Sequence, residues 1–156
     1  MLAAGAGLAA RMLSFPRPVV VACNGNAIAM GGFLLLSADQ RIGAGGDFRI
    51  GLNEVAIGLT LPWFAIAIAQ HRLTRPYYDR CTVTGVTLAP DEALAAGFLD
   101  QVVAPEDVAS TARAVATQLA GINMDAHAAT KLRIRREALA GIRDGIERIT
   151  SGAAEI

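Results

Sequence analysis

Apolar and polar positions alternate along the chain in ways that predict a succession of short elements. Residues 2–14 place Leu2, Leu8 and Met12 on a helix that stops at Phe15-Pro16, because the residue before a proline is driven out of the helical region. Pro18 to Cys23 is a β-branched run without alternation, the pattern of a strand buried on both faces. Asn24-Gly25 then turns the chain, and Gly31 to Ala38, with Phe33 and three leucines, predicts a short buried helix ending near Asp39. Arg41-Ile42-Gly43 and Phe48-Arg49-Ile50 predict two short strands around the turn Gly45-Gly46-Asp47. Helices follow from Pro62 to about Leu73 and from Pro76 to about Val83, and a third opens at Pro90 and is stopped by Gly97. Phe98 to Val103 predicts a strand. Pro105-Glu106-Asp107 opens an amphipathic helix to about Leu119, with acids where the helix dipole prefers them, and Met124 to Ile149 predicts further helix. Strands alternate with helices early and helices dominate late, which implies an α/β layered core followed by a helical C-terminal region.

Composition adds one tension to that picture. The 156 residues suffice for one domain with a real core. Yet 53% are hydrophobic and only 18% charged, below the roughly 25% usual for globular domains. Such a balance implies either membrane contact or an apolar surface covered by something else. Val19 to Ala38 carries no charge and is long enough to span a bilayer, but Asn24-Gly25-Asn26 and Gly31-Gly32 break it into shorter pieces. No membrane span is expected. The N-terminus lacks a basic segment before its apolar stretch, and Arg11 interrupts it, so no signal peptide is expected either. Fourteen basic residues balance fourteen acidic ones, which offers nucleic acid no global field. Cys23 and Cys81 make no disulfide framework, and a cytoplasmic setting is expected.

Two segments carry candidate chemistry. From Arg17 to Phe33 a buried strand leads through a turn into a glycine-rich helix start, where unpaired N–H groups can hold a developing oxyanion. Alternatively, Gly31-Gly32 only let a strand and a helix pack closely. In Ile50 to Gly58, Glu54 is a lone acid among apolar residues. Burial would raise its pKa and make it a proton carrier near neutrality, whereas an exposed loop or capping glutamate is the plain alternative.

Taken together, these segments resemble the crotonase (enoyl-CoA hydratase/isomerase) superfamily. Val20 to Asp39 is similar to the family's buried strand, oxyanion loop and following helix. Ile50-Gly-Leu-Asn-Glu-Val55, then Gly58 and Leu61-Pro-Trp-Phe64, resembles the 3,2-trans-enoyl-CoA isomerases, whose catalytic glutamate follows Leu-Asn. Ala89 to Val103 resembles the family's helix and strand beyond the active site. The resemblance implies an α/β fold of the crotonase type: a β-β-α spiral core, incomplete at the N-terminus, whose later part is residues 1–104, and a C-terminal helical region, 105–156, used for oligomerisation. The family's chain begins well before this sequence does, so a misplaced start, a partial chain or a truncated gene is expected.

Carried over by position, the Met30 N–H is the oxyanion donor and Glu54 the catalytic acid/base, while Phe33 stands where two-glutamate hydratases carry their second acid. Shifting a double bond needs one base and hydration needs two carboxylates, so Phe33 favours isomerase over hydratase; an inert, oligomerising family member is the third reading. Ala27, Ile28, Phe33, Leu52, Trp63 and Phe64 are expected to line the acyl pocket, with ordinary core packing as the alternative. Lys131 and Arg135, in a basic stretch with Arg133 and Arg136, either meet CoA phosphates or form a solvated helix face. His71 and His127 lack metal-ligand spacing. The implied substrate is an acyl-CoA thioester, with no separate cofactor and no metal, in a homotrimer or hexamer.

Overall fold

In the computed structural model, which describes residues 1–152, the chain opens with helix α1 (Leu2–Ser14). Phe15 leaves the helix in an extended conformation, as Pro16 requires of its predecessor. Strand β1 (Val20–Cys23) pairs in parallel with β3 (Gln40–Ala44), and β3 with β6 (Gln101–Val103), giving one three-stranded parallel sheet. A second small sheet joins β2 (Ala27–Ile28) in parallel to β4 (Ile50–Gly51), and β4 antiparallel to β5 (Thr87–Leu88). Helix α2 (Met30–Ser37) connects β2 to β3.

The later helices are α3 (Trp63–Arg72), α4 (Arg75–Val83), α5 (Pro90–Ala96), α6 (Val108–Ala120), α7 (Met124–Ile134) and α8 (Arg136–Ser151). Gly97 ends α5 in the left-handed region at φ 93°, where a side chain is unwelcome. Helix α6 crosses β1 and β3, and Val108 closes a small cluster with Ile42 and Ala44. Helices α1, α2, α3 and α8 pack together around Leu13, Phe33, Leu36, Phe64, Ile68, Leu139 and Ile142. Each such side chain, fully buried, contributes about 1.5–3 kcal/mol of transfer free energy. Gly145 of α8 sits so close that a Cβ there would lie 2.5 Å from the Phe64 nitrogen.

Several expected elements change in detail. β1 is not buried on both faces: among the described residues it stands at the sheet edge, paired only with β3, and Ala22 is exposed. The two strands around Gly45–Asp47 form as expected but belong to different sheets, and Phe48 and Arg49 precede the short β4. Phe98 and Leu99 leave the expected strand to fill the core, so β6 begins only at Gln101. The last helical stretch breaks at Arg135 into α7 and α8. The charge-free Val19–Ala38 segment divides into β1, β2 and α2, and among the described residues no helix is long and apolar enough to cross a membrane.

Candidate active site

The loop from β2 into α2 is held under strain. Ala29 has φ 53° and ψ −118°, and is the one non-glycine residue at positive φ among those described. Two hydrogen bonds fix it there: its N–H donates to the Gly51 carbonyl at 3.0 Å, and its carbonyl accepts from the Phe33 N–H at 3.1 Å. Gly32 lets α2 approach β4, since a Cβ at that position would lie 2.8 Å from the Gly51 oxygen. Both readings of the glycine pair thus share one geometry, in which close packing sets the start of the helix. Met30 is the first helical residue, so its N–H has no intrahelical acceptor and stands at the positive end of the helix dipole. The Met30 side chain lies against Gly5 of α1, where a Cβ would clash with its terminal methyl.

Glu54 enters from the other wall. It follows β4 and begins a 3-10 turn over Val55–Ile57, which Gly58 closes at φ 80°. The Leu59 N–H returns to the Glu54 carbonyl at 2.9 Å and tightens the loop. Glu54 is only 8% exposed, and its Oε2 has no hydrogen-bond partner among the described residues. Burial pushes its carboxyl above the ordinary value, against a smaller opposing effect of its own backbone. The exposed-loop alternative is thereby excluded.

Ala29, Met30, Phe33 and Glu54 meet in a cleft of about 420 Å³, completed by Leu2, Gly58, Leu59, Thr60 and Pro62. Glu54 is the one titratable side chain among these residues. An unpaired carboxylate facing an apolar wall, beside a free helix N–H, can move a proton next to a group that becomes anionic.

Of the expected pocket residues, Phe33 lines this cleft and the others do not. Leu52 and Phe64 have no exposed surface and lie behind the wall, Phe64 against the edge of Phe33. Trp63 is 45% exposed, lies outside the cleft, and has the Arg148 guanidinium 5.1 Å above its ring. As α3 turns inward it is Phe64, not Trp63, that faces the core. Ala27 lies in a groove along β1, and Ile28 is also absent from the cleft. Leu2, Ala29, Leu59 and Thr60 were not among the expected site residues. Leu2 is brought in by the packing of α1 on α2, which no local signal reveals, and a strained alanine carries no sequence mark.

The expected CoA-facing cations need correction. Lys131 and Arg135 are each 3% exposed and grip the two oxygens of Asp39 at 2.6 and 2.9 Å. Lys131 also donates to the Arg17 carbonyl, Arg135 to that of Leu13 at the end of α1, and Arg72 to that of Ala38 beyond the end of α2. Burial, with Arg41 and Arg135 nearby, pushes Arg72 down to about 10. Arg135 and Arg72 thus meet carbonyls at the negative ends of α1 and α2, and Lys131 and Arg135 tie the end of α7 and its junction with α8 to the core, rather than forming a solvated face. Lys131 and Arg135 border a separate recess with Asn123 and His127 and are not part of the Glu54 cleft. No group of three or more His, Cys, Asp or Glu residues among those described is arranged to hold a metal.

Known proteins resemble this chain in sequence and fold. Residues 4–143 match the family model described as enoyl-CoA hydratase/isomerase. Human mitochondrial enoyl-CoA delta isomerase 1 is 34% identical over 119 residues, which cover 76% of this chain and 39% of that protein. A solved enoyl-CoA hydratase (ECHA3) from Mycobacterium marinum is 47% identical with a TM-score of 0.93, over 99% of this chain and 68% of that one. A Mycobacterium tuberculosis protein is 50% identical with a TM-score of 0.93 over 97% of this chain; its two solved structures, of which 64% and 66% are covered, describe it once as a probable enoyl-CoA hydratase and once as an isomerase. The chain thus spans about two fifths of the human relative and about two thirds of the solved ones. These matches and the arrangement of sheets and helices lead to one conclusion: with a crotonase fold, this chain belongs to the enoyl-CoA hydratase/isomerase family.

Proposed function

We propose that the chain acts on acyl-CoA thioesters by moving a double bond from the 3,4 to the 2,3 position. The observation that carries this reading is the single carboxylate, Glu54, in a cleft whose other side chains, apart from Thr60, are apolar. Glu54 removes a proton from C2 of a 3-enoyl thioester, and the electron pair passes to the thioester oxygen as a dienolate. The Met30 N–H donates to that oxygen. The electrons then return to form the C2–C3 double bond, and the protonated Glu54 delivers its proton to C4. The proton count balances with one carrier and no water. Phe33, 1% exposed, replaces a second carboxylate with an aromatic wall and keeps that proton from exchanging.

Hydration of a 2-enoyl-CoA is the second reading, favoured by the description of the Mycobacterium marinum relative as a hydratase. It needs a water activated beside Glu54, and Thr60 is the cleft's other protic side chain. The discriminating assay supplies 3-hexenoyl-CoA and 2-hexenoyl-CoA to the full chain and to Glu54→Gln. Glutamate-dependent isomerisation without water addition supports the proposal; glutamate-dependent hydration replaces it. A homotrimeric or hexameric assembly in a reducing cytoplasm belongs to the same reading, in keeping with the free thiols of Cys23 and Cys81.

A further inference from the structure

Between Ile28 and Phe33, the loop that presents the Met30 N–H reads Ala29-Met30-Gly31-Gly32. Met30 alone in that stretch has a side chain longer than a methyl, so it alone can tie the loop to another element by side-chain packing. It does so on α1. A Cβ added at Gly5 would clash with the Met30 terminal methyl, and would lie 2.9 Å from its sulfur and 3.6 Å from its Cγ. The outer atoms of the side chain therefore lie along a notch in α1 that exists because residue 5 is glycine. Gly5 stands on the inward face of the helix, in register with Leu2, Ala6, Ala9 and Leu13. The last three are fully buried, and Leu2 borders the Glu54 cleft. Gly7 lies on the other side of the same helix, where a Cβ would meet no described atom within 4 Å. Contact with Met30, not glycine content, thus sets Gly5 apart.

We propose that Gly5 is a positioning residue: its notch seats the Met30 side chain and so keeps the Met30 N–H directed at the thioester oxygen. This rests on the isomerase reading and extends it to a residue that does not line the cleft. The physical reason is the strain one residue earlier. Ala29, at φ 53°, is held by backbone hydrogen bonds to Gly51 and from Phe33. A strained conformation persists only where its surroundings over-determine it, and the seated methionine supplies a further restraint immediately after it. A methyl at position 5 takes the seat and drives the Met30 side chain off α1. The strained backbone at Ala29 and Met30 then relaxes, and the N–H turns from the oxygen that becomes anionic. Gly5 does not touch substrate, so its effect falls on the chemical step rather than on binding.

The test measures kcat, KM and melting temperature with 3-hexenoyl-CoA for the full chain, Gly5→Ala, Gly7→Ala, Met30→Ala and the double variant Gly5→Ala/Met30→Ala. Gly5→Ala is expected to lower kcat about ten- to a hundredfold with KM within about threefold of the parent's. Gly7→Ala should leave both constants within about twofold and raise the melting temperature by about 2–4 °C, because alanine suits a helix better than glycine. Met30→Ala keeps the N–H, loses the seat and should also lower kcat. Adding Gly5→Ala to it should change kcat by less than about twofold, since no side chain is left to displace. Parental kcat in Gly5→Ala overturns the inference and leaves the isomerase reading intact. A rise in KM alone also overturns it, because the displaced side chain then only obstructs the cleft. So does an equal fall in kcat in both Met30 backgrounds, because the glycine then acts by a route other than Met30. If Gly5→Ala does not fold, Met30→Ala decides alone: a lowered kcat supports the inference and parental kcat overturns it. If the parent does not isomerise 3-hexenoyl-CoA, the isomerase reading itself falls and this inference with it.

Discussion

The Phe33 ring meets the Phe64 ring edge-on, with 5.6 Å between centroids and 71° between planes. Phe33 faces the cleft and Phe64 faces the core, so the apolar wall of the site is continuous with the packing of α2 on α3. Helix α8 supports that pair from behind, through Gly145 against the Phe64 backbone. The chemistry of the site is thus linked to the most heavily packed part of the chain.

Truncating the supporting ring is expected to be costly. Phe64→Ala should lower unfolding free energy by about 3–5 kcal/mol, from lost burial and the cavity left behind. Urea denaturation measures this, and a loss below about 1 kcal/mol would show that the ring pair does not hold the wall.

Glu54→Gln should reduce isomerisation by about a hundred- to ten-thousandfold, the range associated with a general acid/base. The same variant has a stability signature. Burial raises the folded-state pKa of Glu54 above the ordinary 4.5. The folded state therefore binds the extra proton over that window, and stability falls as pH rises from 4.5 through the folded value. Thermal melts across pH should show this slope in the parent and lose it in Glu54→Gln. The raised value also places the acid limb of the pH–rate profile above pH 4.5.

Strain at Ala29 predicts opposite effects for two substitutions. Ala29→Gly should raise stability by about 1 kcal/mol, because glycine adopts positive φ without a steric penalty. Ala29→Val should lower it by about 1–3 kcal/mol and misdirect the Met30 N–H. Melting curves with parallel rate measurements check both, and a destabilised Ala29→Gly would contradict the strain.

Gly145→Ala forces a methyl into the Phe64 backbone. The expected cost is about 1–3 kcal/mol, concentrated in α8. Hydrogen exchange should show faster amide opening along Arg136–Ser151, with β3 left protected.

Asp39→Asn removes the carboxylate shared by Lys131 and Arg135 and leaves two buried cations unbalanced. A loss of about 3–5 kcal/mol is expected by denaturation. If Asp39→Asn is nearly neutral, the staple is dispensable and the two cations are free to meet an external anion.

Much of the helical layout was legible in the chain itself. Pro16, Pro62, Pro90 and Gly97 mark helix ends because their backbone restrictions are local, and the observed boundaries of α1, α3 and α5 follow them closely. Glu54 was equally visible as a lone acid in an apolar run, and its neighbours Leu-Asn carried the family resemblance. The sheet pairings were not visible, since β3 and β4 follow each other around one turn and only distant strands separate them into two sheets. Basic spacing could not tell a solvated face from Lys131 and Arg135 locked on Asp39, because the deciding acid lies 92 residues from Lys131.

What the sequence determined alone is therefore the carboxylate, the helix stops and the aromatic at position 33, each a property of one residue in its local backbone. Tertiary structure decided that the carboxylate is buried and unpaired, that Phe64 rather than Trp63 backs the wall, and that Leu2 joins the cleft. Burial, strain at Ala29 and charge pairing arise only when segments remote in sequence are packed together, because desolvation and close contact depend on everything surrounding a group and not on its neighbours in the chain.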